Sequence, residues 1–202
     1  EEKRLVWLRH NHFVLSGAKL GPQAKAEVAG INQKLAALTT KFGQNVLADE
    51  EHDFLLIENA AGVEGLSKDM AEAAAAEAKA RGHEGKWAIS NTRSMMEPFL
   101  STATSRSLRE KAFRIWSSRG DQANAQNNNR IASEILELRQ KRSQLLGFKT
   151  FAHWKLSNEM AKEPGAAMDL MLKVWKPAVA AARREVEAME KIAGHKIEPW
   201  DS

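Results

Sequence analysis

Cysteine and tyrosine are both missing from these 202 residues. Without cysteine there is no disulfide and no thiolate metal site. That composition fits a reducing compartment, and the location expected from it is cytoplasmic. No apolar run approaches the ~20 residues needed to cross a bilayer. No stretch shows the basic start, apolar centre and small-residue cleavage site of a secretory signal. A membrane partner is therefore not expected. The sequence also lacks a Gly-x-Ser-x-Gly elbow and a Gly-rich phosphate loop, since Gly62 and Gly65 stand apart as turn residues. These absences remove the commonest signatures of serine hydrolases and nucleotide-binding enzymes.

Charge is plentiful but mixed. The net charge is +4 and the sequence pI about 9.3. The basic residues are interleaved with acids, as in Arg109-Glu110, Glu134/Glu137/Arg139 and Arg183-Arg184-Glu185. Alternating signs suit a solvated helix face. No nucleic-acid-binding motif accompanies them, so nucleic acid is not expected as a partner.

Helical periodicity dominates the chain. Leu5, Leu8, His12 and Leu15 share a stripe in a helix over 2–16. After Gly21-Pro22, the residues Val28, Ile31, Leu35, Leu38, Phe42 and Val46 recur at spacings of three and four, the apolar stripe of a long helix. Asp49-Glu50-Glu51 reads as the break that ends it. Phe54 to Ile57 and Lys86 to Ser90 read as short strands pairing in a ribbon. Between them Ser67 caps a helix that runs to Arg81 and stops at Gly82.

Pro98 is expected to begin another helical turn. Ser105 or Ser107 caps the next helix, Ser107 and Glu110 having capping-box spacing. The Asn-rich stretch from Asn124 to Asn129 forms a loop and a cap, and the helix after it ends at Leu146 before Gly147. Thr150 caps a short helix through Met160. A final helix runs from about Pro164 to Ala193 with a seam of Met168, Met171, Trp175, Ala178, Ala182, Val186 and Met189. Pro177 inside it is expected to introduce a kink.

The fold class expected is mainly α: a multi-helix array with one small two-stranded β ribbon, about 54–58 with 86–90. We read 1–202 as one helical segment, with possible sub-units at 1–100 (helices plus ribbon) and 101–202 (helical).

Few residues are candidates for chemistry. A zincin requires two histidines four apart on one helix face with a glutamate between them. His83-Glu84 is followed by Gly85-Lys86-Trp87, so no second histidine falls in register and His83 reads as a loop residue. His10 and His12 are two apart and point to different helix faces; His12 is expected to be half-buried and His10 exposed. His52, His153 and His195 are isolated. Asp49/Glu50/Glu51 and Glu134/Glu137 read as solvated or helix-terminal charges. Trp7, Trp116, Trp154 and Trp175 are expected in the core and Trp87 on the ribbon. The Met168/Met171/Met189 seam reads as core filler or as a surface meeting an absent partner. No catalytic or metal residue is expected in this chain, and its substrate-binding residues are unknown at this point.

One ordered set of residues is distinctive: Arg106, Arg109-Glu110, Ser118-Arg119-Gly120, Leu138-Arg139, Leu145-Leu146-Gly147-Phe148, Met160-Ala161, Pro164, and then Pro199-Trp200-Asp201. With the Trp7 to Leu20 region and Gly85-Lys86-Trp87, this pattern resembles the zinc oligopeptidases related to thimet oligopeptidase, on the bacterial peptidyl-dipeptidase branch.

The resemblance implies a helical, two-lobed clam with a narrow channel that admits short peptides. It also implies a zinc ion held by an H-E-x-x-H helix and a later glutamate, all carboxyl-terminal to the matched region. Metal-activated water would attack a peptide carbonyl there. That zinc motif and the tyrosine-containing stretch that follows Trp200-Asp201 in the family are not in this chain. The expectation is therefore an excised or truncated, inactive portion of a peptidase: one wall of the channel, with zinc only in the full-length parent. Its partners would be short peptides through the parent and the missing catalytic half, with self-association through an exposed apolar face. The alternative reading is a stand-alone helical interaction module.

Overall fold

A computed structural model describes residues 2–201. Eight α-helices and one two-stranded sheet account for most of them, which matches the mainly α expectation. The chain divides into two compact units, Glu1–Lys41 with Arg130–Arg183 and Phe42–Asn129 with Arg184–Ser202. Two helices, α2 (Pro22–His52) and α8 (Pro164–Ala193), give their first part to one unit and their last part to the other.

The first unit contains α1 (Glu2–Leu15), the start of α2, α6 (Asn129–Leu145), α7 (Phe151–Leu156) and most of α8. Its core is small. Ile31 and Leu35 of α2 meet Ile135 of α6, with Leu38, Ile131, Leu138 and Leu145 around them. This is the first part of the apolar stripe read from the three-and-four spacing; Phe42, further along it, is exposed. Polar contacts fix the same helix pair: Arg142 donates to Asn32 at 3.0 Å, and Lys141 pairs with Glu27 at 2.7 Å. The Trp154 indole N–H of α7 donates to the Leu15 carbonyl at 3.1 Å, anchoring α7 to the end of α1.

The second unit holds the larger core. Strand β1 (Phe54–Ile57) pairs antiparallel with β2 (Trp87–Ser90), Leu55 opposite Ile89 and Ile57 opposite Trp87. Between the strands lie a 3-10 turn (Ala60–Val63) and α3 (Lys68–Ala80). Ser67 caps α3 by accepting from the Met70 N–H at 3.2 Å. Ala74 and Ala78 of α3 and Ala88 of β2 are all buried, so the alanine run supplies small side chains that let helix and strand approach closely. Under the sheet, Leu55, Ile57 and Ile89 pack with Met96 and Phe99 of α4 (Arg93–Thr102), Ala103, and Ala112 of α5 (Arg106–Ser117).

Several local expectations are corrected. The acidic run at 49–51 does not break α2, which continues through His52. Pro98 lies inside α4 instead of starting it; its ring removes one backbone bond, while Met96 and Phe99 on either side are fully buried and hold the turn. Helix α5 starts at Arg106, so Ser105 occupies the cap position, its side chain makes no capping bond, and the Ser107–Glu110 box does not form. Thr150 does cap α7, but that helix ends at Leu156, short of Met160. No residue of α1 or α8 is buried among those described. Trp7 and Trp175 are 56% and 67% exposed, and Met168 and Met171 are exposed as well, so these four are not core.

Candidate functional site

Three arrangements gather chemistry-bearing side chains. The first is a buried polar latch in the second unit. Asn45 and Asp49 lie one helical turn apart near the end of α2, and Asp53 follows one residue beyond the helix. Their spacing of four puts the helical pair on one face. Asn45 Nδ2 donates to Asn128 Oδ1 at 2.9 Å, and Asp49 Oδ2 accepts from the Gly120 N–H at 2.7 Å. Asp53 accepts from Gln122. Beside them, Glu50 pairs with Arg119 at 2.5 Å, and that guanidinium lies 3.9 Å from the centre of the Trp116 ring.

Asp49 is thus neither a solvated charge nor half of an acid–base dyad. It is a buried acceptor that holds the loop after α5. Arg119 and Gly120 of the Ser118-Arg119-Gly120 motif serve this latch. The four-residue spacing of Asn45 and Asp49 along α2 is the sequence signal for this latch.

The second arrangement is a clamp, also within the second unit. Arg106 of α5 meets Asp201 through two nitrogens, with bonds of 2.7 to 3.1 Å. Arg109 reaches Asp201 Oδ1 at 3.1 Å and donates to the Trp200 and Ala103 carbonyls, each at 2.8 Å. The Trp200 ring lies beside Phe113 and under the Arg114 guanidinium. The distant motif elements Arg106, Arg109 and Trp200-Asp201 are therefore physically joined.

The Asp201 side chain is only 3% exposed. The hydrogen bonds from Arg106 hold its carboxyl well below the usual carboxylate range, with further help from the Glu198 N–H and Arg109. A carboxyl depressed in the folded state stabilises the fold at pH values above its unfolded pKa of about 3.9, and that contribution is lost as pH falls toward the folded value. We expect thermal midpoints of the wild-type chain to fall on acidification below about pH 4. In Asp201→Asn the midpoint should be lower at neutral pH and the acid-dependent fall shallower. Equal acid slopes in the two proteins would show that the clamp does not contribute.

The third arrangement is an open cleft in the first unit, about 530 Å³ in volume, between α2, α6 and α7. Arg139, Arg142 and Lys155 contribute cations to it, Thr39 and Thr40 contribute hydroxyls, and among the described residues no carboxylate lines it. Each guanidinium lies over an aromatic ring, Arg139 at 5.3 Å from Phe151 and Arg142 at 4.8 Å from Trp154. Burial, and secondarily the charge of Arg139, lowers the pKa of Arg142.

The histidines do not converge. His83 lies in the turn after α3, against Phe54. His10 and His12 are both exposed on α1, so the half-burial expected of His12 is corrected. His52, His153 and His195 each bond locally, to Ala48, Thr150 and Lys196. Glu134 and Glu137 are exposed on α6. Among the described residues, no three His, Cys, Asp or Glu side chains are gathered as a metal site would need. No helix among the described residues is long and apolar enough to cross a membrane.

Comparison with known proteins places these arrangements in a family context. The model of peptidase family M3 matches residues 99–202. The chain is 32% identical to dipeptidyl carboxypeptidase of Escherichia coli over 206 residues, which is 100% of this chain and 30% of that protein. Its counterpart in Salmonella typhimurium is 31% identical with the same coverage. Oligopeptidase A of Salmonella typhimurium is 29% identical over 99% of this chain and 31% of its own length. The chain thus spans about 30% of the length of the curated relatives it matches.

Proposed function

The chain belongs to peptidase family M3, and from that premise we propose that it is a non-catalytic helical portion of a zinc-dependent peptidyl-dipeptidase or oligopeptidase. In this reading it forms part of the wall of a channel that admits short peptides, within a larger two-lobed enzyme. The zinc ion and its ligands belong to the rest of that enzyme, and this portion alone is inactive. The cysteine-free sequence supports a cytoplasmic setting.

The observation that carries this reading is the exposure of apolar side chains on α8. Leu170, Met171, Leu172, Val174 and Trp175 are each more than half exposed, on a helix with no buried residue among those described. An apolar surface larger than about a few hundred Å² is unusual on a monomer and marks a face made to be covered. The chain aligns over its whole length with relatives about three times as long, which supplies a candidate for the cover. In the absence of that cover, self-association is the expected substitute.

Light scattering and binding of a hydrophobic dye test the face. The chain should bind the dye and associate as its concentration rises. The double substitution Leu172→Glu and Trp175→Glu should reduce both. A strictly monomeric chain that ignores the dye would contradict the reading.

A further inference from the structure

The cleft lined by Arg139, Arg142 and Lys155 has no role in the peptidase reading, and its chemistry stands independently of that reading. Two guanidiniums lie close enough for one to depress the other's pKa, yet neither has a carboxylate partner among the described residues. Six other arginines are matched by acids: Arg81 with Glu77, Arg93 with Glu97, Arg106 and Arg109 with Asp201, Arg114 with Glu110, Arg119 with Glu50. Lys155, the third cation, has only a 3.9 Å contact with exposed Glu159.

The guanidiniums are also fixed in place. Arg142 is held by its bond to Asn32 and by the Trp154 ring, and Arg139 by Phe151. Stacking on a ring occupies the face of a guanidinium and leaves its edge nitrogens for a carboxylate; in Arg142, whose Nη1 donates to Asn32 and whose Nε is buried, the nitrogen left for this is Nη2. Like charges that are partly desolvated and pre-positioned favour an anion between them.

We propose that this cleft binds the carboxylates of acidic peptide segments. One carboxylate is taken by Arg139 and Arg142, and Lys155 adds attraction at low salt. The carboxylate has two possible sources, an acidic side chain or a free peptide terminus.

Calorimetric titration of the 202-residue chain separates them with three short peptides. One is blocked at both ends and carries two adjacent glutamates, the second has glutamines in their place, and the third is neutral with a free carboxyl terminus. Saturable binding of the first alone identifies side-chain carboxylates; binding of the third as well adds the terminus as a source. The glutamine peptide should bind at least about tenfold more weakly than the glutamate peptide, the size of a lost charge-assisted hydrogen bond. Added salt should weaken the interaction.

The indole N–H resonance of Trp154 reports the location, because Arg142 lies over that ring. It should shift on titration. Arg142→Gln and Arg139→Gln should each weaken binding by at least about tenfold, and Lys155→Gln, at an exposed position, by less. Lys111→Gln on α5 should leave it unchanged, with helix content checked for every variant. The proposal is overturned if none of the three peptides binds saturably, or if Arg142→Gln and Arg139→Gln bind as the wild type does.

Discussion

Gly65→Ala should destabilise the second unit by more than about 4 kcal/mol, the range reserved for substitutions that break a specific structural requirement. Gly65 has φ of +88°, and a Cβ built there would lie 2.1 Å from the Thr102 carbonyl oxygen. The neighbouring Glu64 carbonyl accepts from the Thr104 N–H at 3.0 Å, which ties this turn to the end of α4. The chain cannot retreat from the clash without giving up that bond.

Gly147, just after α6, is the control. Its φ is +87°, but nothing lies within 4 Å of a Cβ there. Gly147→Ala should cost only the left-handed strain, about 1–2 kcal/mol. Urea denaturation of both variants separates the two contributions. Equal costs would mean that backbone angle alone, and not the approach of α4, sets the requirement for glycine at 65.

The second large effect is expected at Phe99. Its side chain is fully buried among Leu55, Ile57, Ile89 and Met96, where α4 meets the ribbon. Phe99→Ala removes that packing and leaves a cavity, at a cost of about 3–5 kcal/mol. Trp175→Ala removes a larger side chain, but one that is two-thirds exposed on α8. It should change stability by no more than about 0.5 kcal/mol in this chain, as surface substitutions do. The contrast rests on the exposure of α8. A Trp175→Ala cost comparable to that of Phe99→Ala would show that this face is already covered.

Much of the fold was legible because local physics and tertiary packing agree. The stripe from Val28 to Leu38 carries the spacing of a buried face and is one, with Val28, Ile31 and Leu35 buried. The ribbon was legible because Phe54 to Ile57 is a short apolar run closed on both sides by polar residues. Its four pairs, Phe54 with Ser90 through Ile57 with Trp87, fall within the expected ranges.

What was not legible depends on groups far away in the chain. Acids at the end of a helix oppose its dipole, so Asp49-Glu50-Glu51 reads as a stop. Gly120 and Arg119, about 70 residues on, satisfy two of those acids and let α2 continue. Pro98 is tolerated inside α4 for a comparable reason, because Met96 and Phe99 anchor the turn on which it lies.

Trp7 and Trp175 show a different limit. Periodicity reveals that a helix has an apolar face but not what lies against it. The seam of α8 was compatible with core filler or with an absent partner, and the exposure of Met168, Met171 and Trp175 excludes core packing for those three in this chain. The cationic cleft was also hidden. Arg139 and Arg142 look like ordinary members of a mixed-charge helix until α7 brings Phe151 and Trp154 over them.

The central claim is that this chain builds part of a peptidase without carrying its cutting metal. Peptide hydrolysis by the purified chain, with and without added zinc, tests it most directly. The account predicts no release of dipeptides or other fragments under either condition. Zinc-stimulated cleavage by the chain alone, abolished by a chelator, would contradict it.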